Sequence, residues 1–592
     1  MLSLVLALDK NYKQASLNTI NKLKTCLKLE QVFAEDYSYD DQITDPLGFL
    51  DKIKPDLLEA ISQSNNPKIK QVEESFDTGF KTFKKEVLNT VENDRLCIEF
   101  RTKLNEKIKA LNYSSFYDFI LKDGFSRLND KEDDHIAFLE QWASVGHPVH
   151  PSYKNKPDMS KEDVLKYCPE FHPVVSLKLV ALKNEVFNSE MPNSELNYQD
   201  WFADKYPDSF KSANNELNKM GLDYQDFSYI PVHPWQAEHI LPKWFSHLFE
   251  NQSLILLKES FIASSSSVSF RSMMPFGKTS PNIKLPASLQ MTSVVRYISP
   301  AKLYNSVYLS KLIKNILSQE NNFDNSLDFL SESVCATIKV SEKNKISEIS
   351  TRHLSAIYRE KPLSHLEEGE IGIPLTALLL DSPISQKPLL IETIEDNNLI
   401  DKSSLESSIR KYFSDYAKTS IRGPLGIYLK YGVNVECHQQ NTIQVFKSGV
   451  LQRSLVRDTA GVDIHKPSFD RTSMSLKLHP KTNQYFSDRG LRVHLIHCLF
   501  KSHLAEIIKI LSEAYNIDDS LLWSDLQALV KKELELYQKF MPLDEWQVEY
   551  NAILKDPWPY KALMLMRIAD TKEIFIDSTN PFITVDSLSL ST

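Results

Sequence analysis

GVNVECHQQNTIQVFKSGVLQRSLVRDTAG, residues 432–461, is the stretch on which the reading of this chain turns. Its apolar residues form two β-favouring runs, Val433, Val435, Ile443, Val445 and Phe446, then Val450, Leu451, Leu455 and Val456. A turn at Ser448-Gly449 joins them. Glu436, His438, Gln440 and Asn441 crowd the first run, and Asp458 follows seventeen residues after Asn441. Packing requires none of these polar groups. A His, a Gln, an Asn and an Asp drawn together from adjacent strands suit a metal–phosphate site. The same residues also describe a hairpin whose polar side chains stand in water.

Upstream, residues 253–300 are β-rich: SLILL, FIASSSSVSFRSMM and IKLPASLQMTSVVRYI predict three antiparallel strands, with turn chemistry from Gly277 to Asn282. Strand alternation places Ser269 and Arg271 on one face. Lys284 and Arg296 bracket the following segment, with Thr292 between them. Three cations beside hydroxyls are what a triphosphate or a polycarboxylate requires, Arg as a planar fork and Lys as a mobile point charge. Solvated charges on a sheet face are the plainer alternative.

Before this block, Gly146-His147-Pro148-Val149-His150-Pro151-Ser152-Tyr153-Lys154 is held extended by its prolines and displays two histidines and a lysine. Residues 1–145 read as helical, as in Lys68–Leu111 with Val72, Phe76, Phe80, Phe83 and Val87 at three- and four-residue spacing. A further helix is predicted over Asp133–Ser144. Ser160 with Asp163 reads as a helix N-cap, and strands are predicted at Val174–Val180 and Tyr229–Val232. Residues 301–425 read as helices and loops, and the chain from Arg492 onward as helical, including Tyr560–Asp570.

At 592 residues, 42% hydrophobic and 25% charged, the chain has the composition of a globular protein with room for three or four domains. A net charge of −9 gives no basic footprint for nucleic acid. The six cysteines are widely spaced without a CxxC pair, as in reduced thiols of a cytosol. No run is long and apolar enough to span a membrane, and the opening MLSLVLALDK has no basic flank of a signal peptide, so a cytoplasmic location is expected.

Familiar catalytic motifs are absent. Gly277-Lys278-Thr279 lacks the glycine a phosphate loop needs five residues before Gly277, where Ser272 stands. There is no GxSxG elbow. His494, His497 and His503 lack the carboxylate pattern of HExxH and read as a polar helical face. A cationic β block followed at a distance by a strand-borne Asn and Asp is the plan of a kinase-like ATP site. The catalytic Asp of an HRD loop is missing, which favours adenylyl transfer to a carboxylate over phosphoryl transfer to a hydroxyl.

Taken in order, GHPVHPSYK at 146–154, Ser-x-Arg-Ser at 269–272, the Lys284/Arg296 pair enclosing Thr292, and the His-x-Gln-Asn…Arg-Asp element spanning 438–458 resemble the NRPS-independent siderophore synthetases, the IucA/IucC family. These motifs cover about half the chain. The resemblance implies an α+β fold shaped as a three-part cradle: a helical thumb (1–145), β-rich fingers (146–345) and a kinase-like mixed palm (346–592). It implies ATP and Mg²⁺, with Ser269, Arg271, Ser272, Lys284, Arg296, His438, Asn441 and Asp458 at the nucleotide and Glu436, Asn441 and Asp458 at the metal. His150, Lys154, Thr292 and Gln440 would meet the carboxylate substrate, and Arg296 and His438 would be catalytic. Ser272 departs from the family's frequent Thr but keeps the hydroxyl, and the serine run Ser264–Ser267 is longer than the pattern.

The activity so implied is adenylation of citrate or a citrate derivative and its condensation with an amine or hydroxyl, with release of AMP and pyrophosphate. A homodimer, with small molecules as the only other partners, is expected on the same ground. A kinase-like phosphotransferase releasing ADP and a non-catalytic anion-binding scaffold are the alternatives.

Overall fold

The computed structural model describes residues 10–34, 36–128, 134–192, 195–277, 279–291, 294–571 and 574–589. Lys278 and Thr292, and the Asp133 start expected for one helix, lie outside them. The helical reading of the first segment holds. Helices Lys10–Leu29, Pro46–Ser62 and Phe76–Ala110 enclose a core in which Phe76, Phe80, Phe83 and Val87 meet Ile20, Leu23, Phe49 and Leu50. That core also takes in Ala562, Met564, Leu565 and Ile568 from the far end of the chain. The buried Glu30 carboxylate accepts the amides of Met564 (2.6 Å) and Leu565 (3.0 Å), satisfying orphan N–H groups at the start of helix Leu563–Ile568. Tyr560–Asp570 is therefore not one helix: Trp558–Lys561 (β18) pairs with Phe575–Ser578 (β19), and the helix begins at Leu563.

The largest sheet has eight strands. In spatial order they are Phe187–Glu190 (β2), Val334–Ile338 (β10), Ser355–Arg359 (β11), Asn282–Lys284 (β6), Ser272–Pro275 (β5), Leu254–Ser266 (β4), Val174–Lys183 (β1) and Phe227–Val232 (β3), each antiparallel to its neighbour. The predicted strands at 174–180 and 229–232 are thus present, as is the capping box of Ser160 and Asp163 before helix Lys161–Tyr167. A separate hairpin, Ala287–Met291 (β7) and Val294–Arg296 (β8), carries Arg296.

The opening stretch folds around its predicted turn. Thr442–Lys447 (β14) and Val450–Val456 (β15) flank Ser448 (φ +50°) and Gly449 (φ +74°), the left-handed pair of a tight hairpin. Glu370–Pro374 (β12) and Leu327–Phe329 (β9) complete this sheet in the order β12-β14-β15-β9. Val433–Asn434 (β13) is not part of it; a tight turn at His438–Asn441 diverts the chain, and β13 joins Asp463–His465 (β16) and Tyr485–Phe486 (β17). Four strands, β9 to β12, fall in the segment read as helices and loops.

Packing also crosses residue 145. Phe116, Phe119, Phe138 and Trp142 share one core with Phe413 and Tyr416, and the Glu392 carboxylate accepts the amides of Phe116 (2.9 Å) and Tyr117 (3.0 Å).

Candidate active site

Two charged regions meet where the eight-stranded sheet faces the β14–β15 hairpin. The first is built on the β4–β5 connection. The sequence suggested one strand through Ser269 and Arg271; instead β4 ends at Ser266, and Ser267–Arg271 form a tight loop closed by Ser267 N–H to the Ser272 carbonyl (2.8 Å). Phe270 takes φ +67° and is fully buried. The Ser269 hydroxyl lies 3.0 Å from that of Ser267 and accepts the Ser272 amide (3.2 Å). The serine run has a structural account: Ser264–Ser267 are buried, and Ser264 and Ser266 donate to the carbonyls of Val175 and Tyr167.

Lys284, at the end of β6, is buried and reaches Asp458 Oδ1 at 2.5 Å. Arg359, on β11, pairs with the fully buried Glu332 and lies 3.8 Å from Asp458 Oδ2. Glu332 also accepts the Thr459 hydroxyl. Burial opposes ionisation of Asp458, yet Lys284 and Arg359 hold its carboxyl well below the usual carboxylate range. Its backbone sits at φ +83°, uncommon for a residue with a Cβ, and its side chain accepts the Ala460 amide (2.9 Å). Asn441 is tied to the same place, because Arg457 N–H donates to its carbonyl (3.0 Å). Arg457 further binds Glu140 (2.7 Å), whose other oxygen takes the Val268 amide (3.1 Å), linking the serine loop to the hairpin.

Asp458 and Asn441 offer one carboxylate and one amide. That donor set suits Mg²⁺ held mainly by phosphate oxygens and water. Glu436 lies 3.8 Å from His438 Nε2 and packs against Gly461, where a Cβ would collide with its carboxylate.

The second region gathers histidines. His147 Nδ1 accepts the amides of Val149 (3.2 Å) and His150 (3.0 Å), and His150 Nδ1 accepts that of Ser152 (3.0 Å), so each ring turns Nε2 away from its own loop. The two rings stand 6.0 Å apart, edge to face. Burial, then Arg567, Lys22, Arg296 and Lys561, pushes His150 down to about 3. Burial, then His147, Lys561 and His438, does the same to His497. His147 is lowered by its enclosure and by His150, Lys22 and His438, although its ring remains open to solvent in the cleft. The Nδ1 of His497 is buried without a hydrogen-bond partner among the described residues. Arg567 is held in a fork by Glu86, with contacts down to 2.5 Å, and Glu86 also accepts Gln290 of the hairpin that carries Arg296 (2.9 Å).

His497, Lys561 and Arg567 were missed as site candidates because they come from distant helices and strands with no motif to mark them, and His147, although inside the 146–154 motif, was not singled out there. Glu332 and Arg359 were missed too, hidden in a segment not read as strand. The three C-terminal histidines are not one polar face: His503 is in the core against Tyr416 (2.8 Å) and Gln444 (3.1 Å), His494 pairs with Asp463 (2.7 Å), and His497 joins the pocket. Lys154 is also placed elsewhere. It is 1% exposed and is occupied by Glu170 (2.9 Å) and the Ser144 carbonyl (2.7 Å). Gln440 is exposed, and its carbonyl takes Arg457.

Residues 135–380 match the family model "IucA / IucC family", and residues 410–574 match "Ferric iron reductase FhuF-like transporter". The uncharacterized protein y4xN of Sinorhizobium fredii is 29% identical over 85% of this chain and 80% of its own length. The D-ornithine–citrate ligase of Staphylococcus aureus is 23% identical over 77% of this chain and 71% of its own. The fold is similar to that of ATP-bound aerobactin synthetase IucA from a hypervirulent Klebsiella pneumoniae pathotype, with TM-score 0.67 and 18% identity over 87% of this chain and 86% of that one. Residues 135–380 thus carry an IucA/IucC family domain, and the siderophore ligases among the sequence relatives, with the motifs that line the site, support a member of the NRPS-independent siderophore synthetases.

Proposed function

We propose that the protein is an ATP-dependent ligase of siderophore biosynthesis that adenylates one carboxylate of citrate or a citrate derivative and passes the acyl group to an amine or hydroxyl. One observation carries this reading: an ion network able to exchange its own carboxylates for phosphates adjoins a histidine-rich cationic pocket suited to a second, multiply charged anion. The ATP-bound fold relative and the citrate ligase among the sequence relatives support the same pairing of substrates. On this reading the cradle of thumb, fingers and palm closes around both.

A carboxylate is a poor acyl donor. Its oxygen attacks the α-phosphorus, pyrophosphate leaves, and an acyl-adenylate forms. Lys284, Arg271 and the Ser269 and Ser272 hydroxyls would take phosphate charge, and Asp458 and Asn441 would hold Mg²⁺. The metal, when bound, offsets charge on the departing pyrophosphate. His150, His147 and His497, kept neutral, donate hydrogen bonds to the substrate's remaining carboxylates, while Lys561 and Arg567 supply positive charge. The nucleophile then attacks the activated carbonyl and displaces AMP, with Arg296 and His438 stabilising the oxyanion. The test is product analysis with citrate and a panel of amines. AMP with pyrophosphate is expected; ADP would indicate a phosphotransferase, and binding without any product a scaffold.

A further inference from the structure

The chain leaves β3 through His233-Pro234-Trp235-Gln236 and turns at once into the short helix Pro234–His239. His233 and Gln236 are polar, 0% exposed and not among the charged groups of the site. Burying such groups costs free energy unless they find partners, so what they touch is informative.

His233 caps the helix, its Nδ1 accepting the Trp235 amide (3.2 Å). That bond orients the ring, whose centre stands 4.9 Å from that of Phe270 and 5.1 Å from that of Tyr167. Burial pushes His233 down to about 3, so the ring packs as a neutral group. Phe270 is the buried residue whose left-handed backbone (φ +67°) makes the turn of the serine loop. A phenyl ring wedged in place holds a residue with a Cβ in that strained conformation. The residue that follows it is Arg271.

Gln236 uses both ends of its amide. Its Oε1 accepts the Ser288 N–H (2.8 Å), and its Nε2 donates to the Ser288 hydroxyl (3.0 Å) and the His353 carbonyl (2.8 Å). Ser288 lies on β7 beside Ala287, the register partner of Arg296 on β8. Its hydroxyl is also 2.7 Å from His353 Nδ1, and the neighbouring Arg352 carbonyl accepts the Ile298 amide (3.3 Å) just beyond β8. The hairpin that carries Arg296 is thereby fixed at both strands.

The two paths meet at the arginines. Arg271 Nη1 donates to the carbonyls of Arg296 (3.4 Å) and Tyr297 (3.1 Å). After burial, the charge of Arg296 is what lowers Arg271 to about 10, so the two guanidiniums repel one another. Like charges brought together move apart unless the scaffold restrains them. We infer that His233 and Gln236 are positioning residues: the His-Pro-Trp-Gln turn grips the serine loop through Phe270 and the β7–β8 hairpin through Ser288, and so sets the spacing of Arg271 and Arg296. Given the roles proposed above for these arginines, on which the functional part of the inference rests, His233 acts on ATP affinity through Arg271 and Gln236 on turnover through Arg296.

Paired substitutions in the full-length protein separate positioning from plain support. His233→Asn keeps an acceptor for the Trp235 amide and removes the ring, whereas His233→Phe keeps a ring and removes the acceptor. ATP titration should show about tenfold weaker binding for His233→Asn and a smaller loss for His233→Phe. The reverse order is that of a helix cap alone and overturns the inference. In an Arg271→Met background the two His233 variants should bind ATP alike; a loss from His233→Asn undiminished there shows that it does not act through Arg271 and also overturns it. Gln236→Leu should lower turnover about tenfold, more than it weakens ATP binding. Ser288→Ala, which deletes only the hydroxyl, serves if the Leu variant does not fold, and full turnover in the folded variant removes Gln236 from the inference. If the wild type binds no ATP, the adenylation reading falls, and the crystal structure of His233→Asn decides: Arg271 displaced from the Tyr297 carbonyl supports the inference, and an unmoved Arg271 overturns it.

Discussion

The two poles of the site handle charge in opposite ways. Around Asp458 the protein supplies its own counter-ions: Lys284 and Arg359 are already matched by Asp458 and Glu332. In the histidine pocket the leading electrostatic neighbours of His150 and His497 are cations and other imidazoles. A self-neutralised network is cheap to keep folded and must be rearranged by its ligand. Histidines that face cations are costly to bury, and an anionic ligand offsets that cost. The first suits a polyphosphate that arrives with a metal and can displace Asp458 from Lys284. The second suits a carboxylate that arrives alone.

The largest effect is expected where this exchange takes place. Asp458→Ala should reduce AMP and pyrophosphate release by about 10³-fold or more. It should also destabilise the fold by about 3–5 kcal/mol, because Lys284 and Arg359 are left with Glu332 alone. The double variant Lys284→Met with Asp458→Ala separates the two consequences: melting temperature should recover and activity should not. Full adenylation by Asp458→Ala would remove Asp458 from the nucleotide. Next in size, Arg296→Ala and His438→Ala should each lower turnover by about 10²-fold, more than either weakens ATP binding, read from steady-state rates and direct ATP titration. Retention of turnover in either would end its assignment to the oxyanion.

Much of the ion network around Asp458 was legible in the sequence and little of the histidine pocket was, for a physical reason. Ser269–Ser272, Lys284 and the 438–458 element lie in short, contiguous strands and turns, where a motif preserves its own geometry. Even there, alternation misled: Ser269 and Arg271 lie in a turn, because Phe270 adopts a left-handed conformation that alternation does not anticipate. Lys154 fell in a matching motif yet is buried against Glu170, a partner sixteen residues on. The histidine pocket is assembled from a loop at 147–150, a π-helical segment carrying His497, and the β18 segment that ends at Lys561. β18 reaches the pocket only because the following helix packs on the N-terminal core and is capped there by Glu30. No local pattern encodes that long-range docking.

A smaller effect is expected from one of these overlooked residues. Lys561→Met should raise KM for the carboxylate about tenfold and leave KM for ATP and turnover nearly unchanged, the pattern of lost uniform binding. If KM for ATP rose instead, Lys561 would belong to the phosphate pole and the contrast between the poles would weaken.

The smallest effect concerns stability and pH. His150 is 3% exposed, and its folded value near 3 lies below the roughly 6.5 of an unfolded histidine. With the folded value depressed, the native state binds fewer protons than the unfolded state between these limits. The stabilisation from keeping His150 neutral is therefore complete above about pH 6.5 and erodes as pH falls toward 3. Between pH 6.5 and 5 the loss is about 2 kcal/mol, and His150→Asn, whose amide can still accept the Ser152 N–H, should flatten it by that amount. Citrate should flatten it as well, since a bound carboxylate stabilises the imidazolium and raises the folded value. The nucleotide, bound at the self-neutralised pole, should stabilise the protein without changing the slope. Melting curves of the wild type across this range, alone, with citrate and with ATP, therefore distinguish the pole that waits for its anion from the pole that already holds its own; equal slopes in all three conditions would mean that the histidine pocket is not where the carboxylate binds.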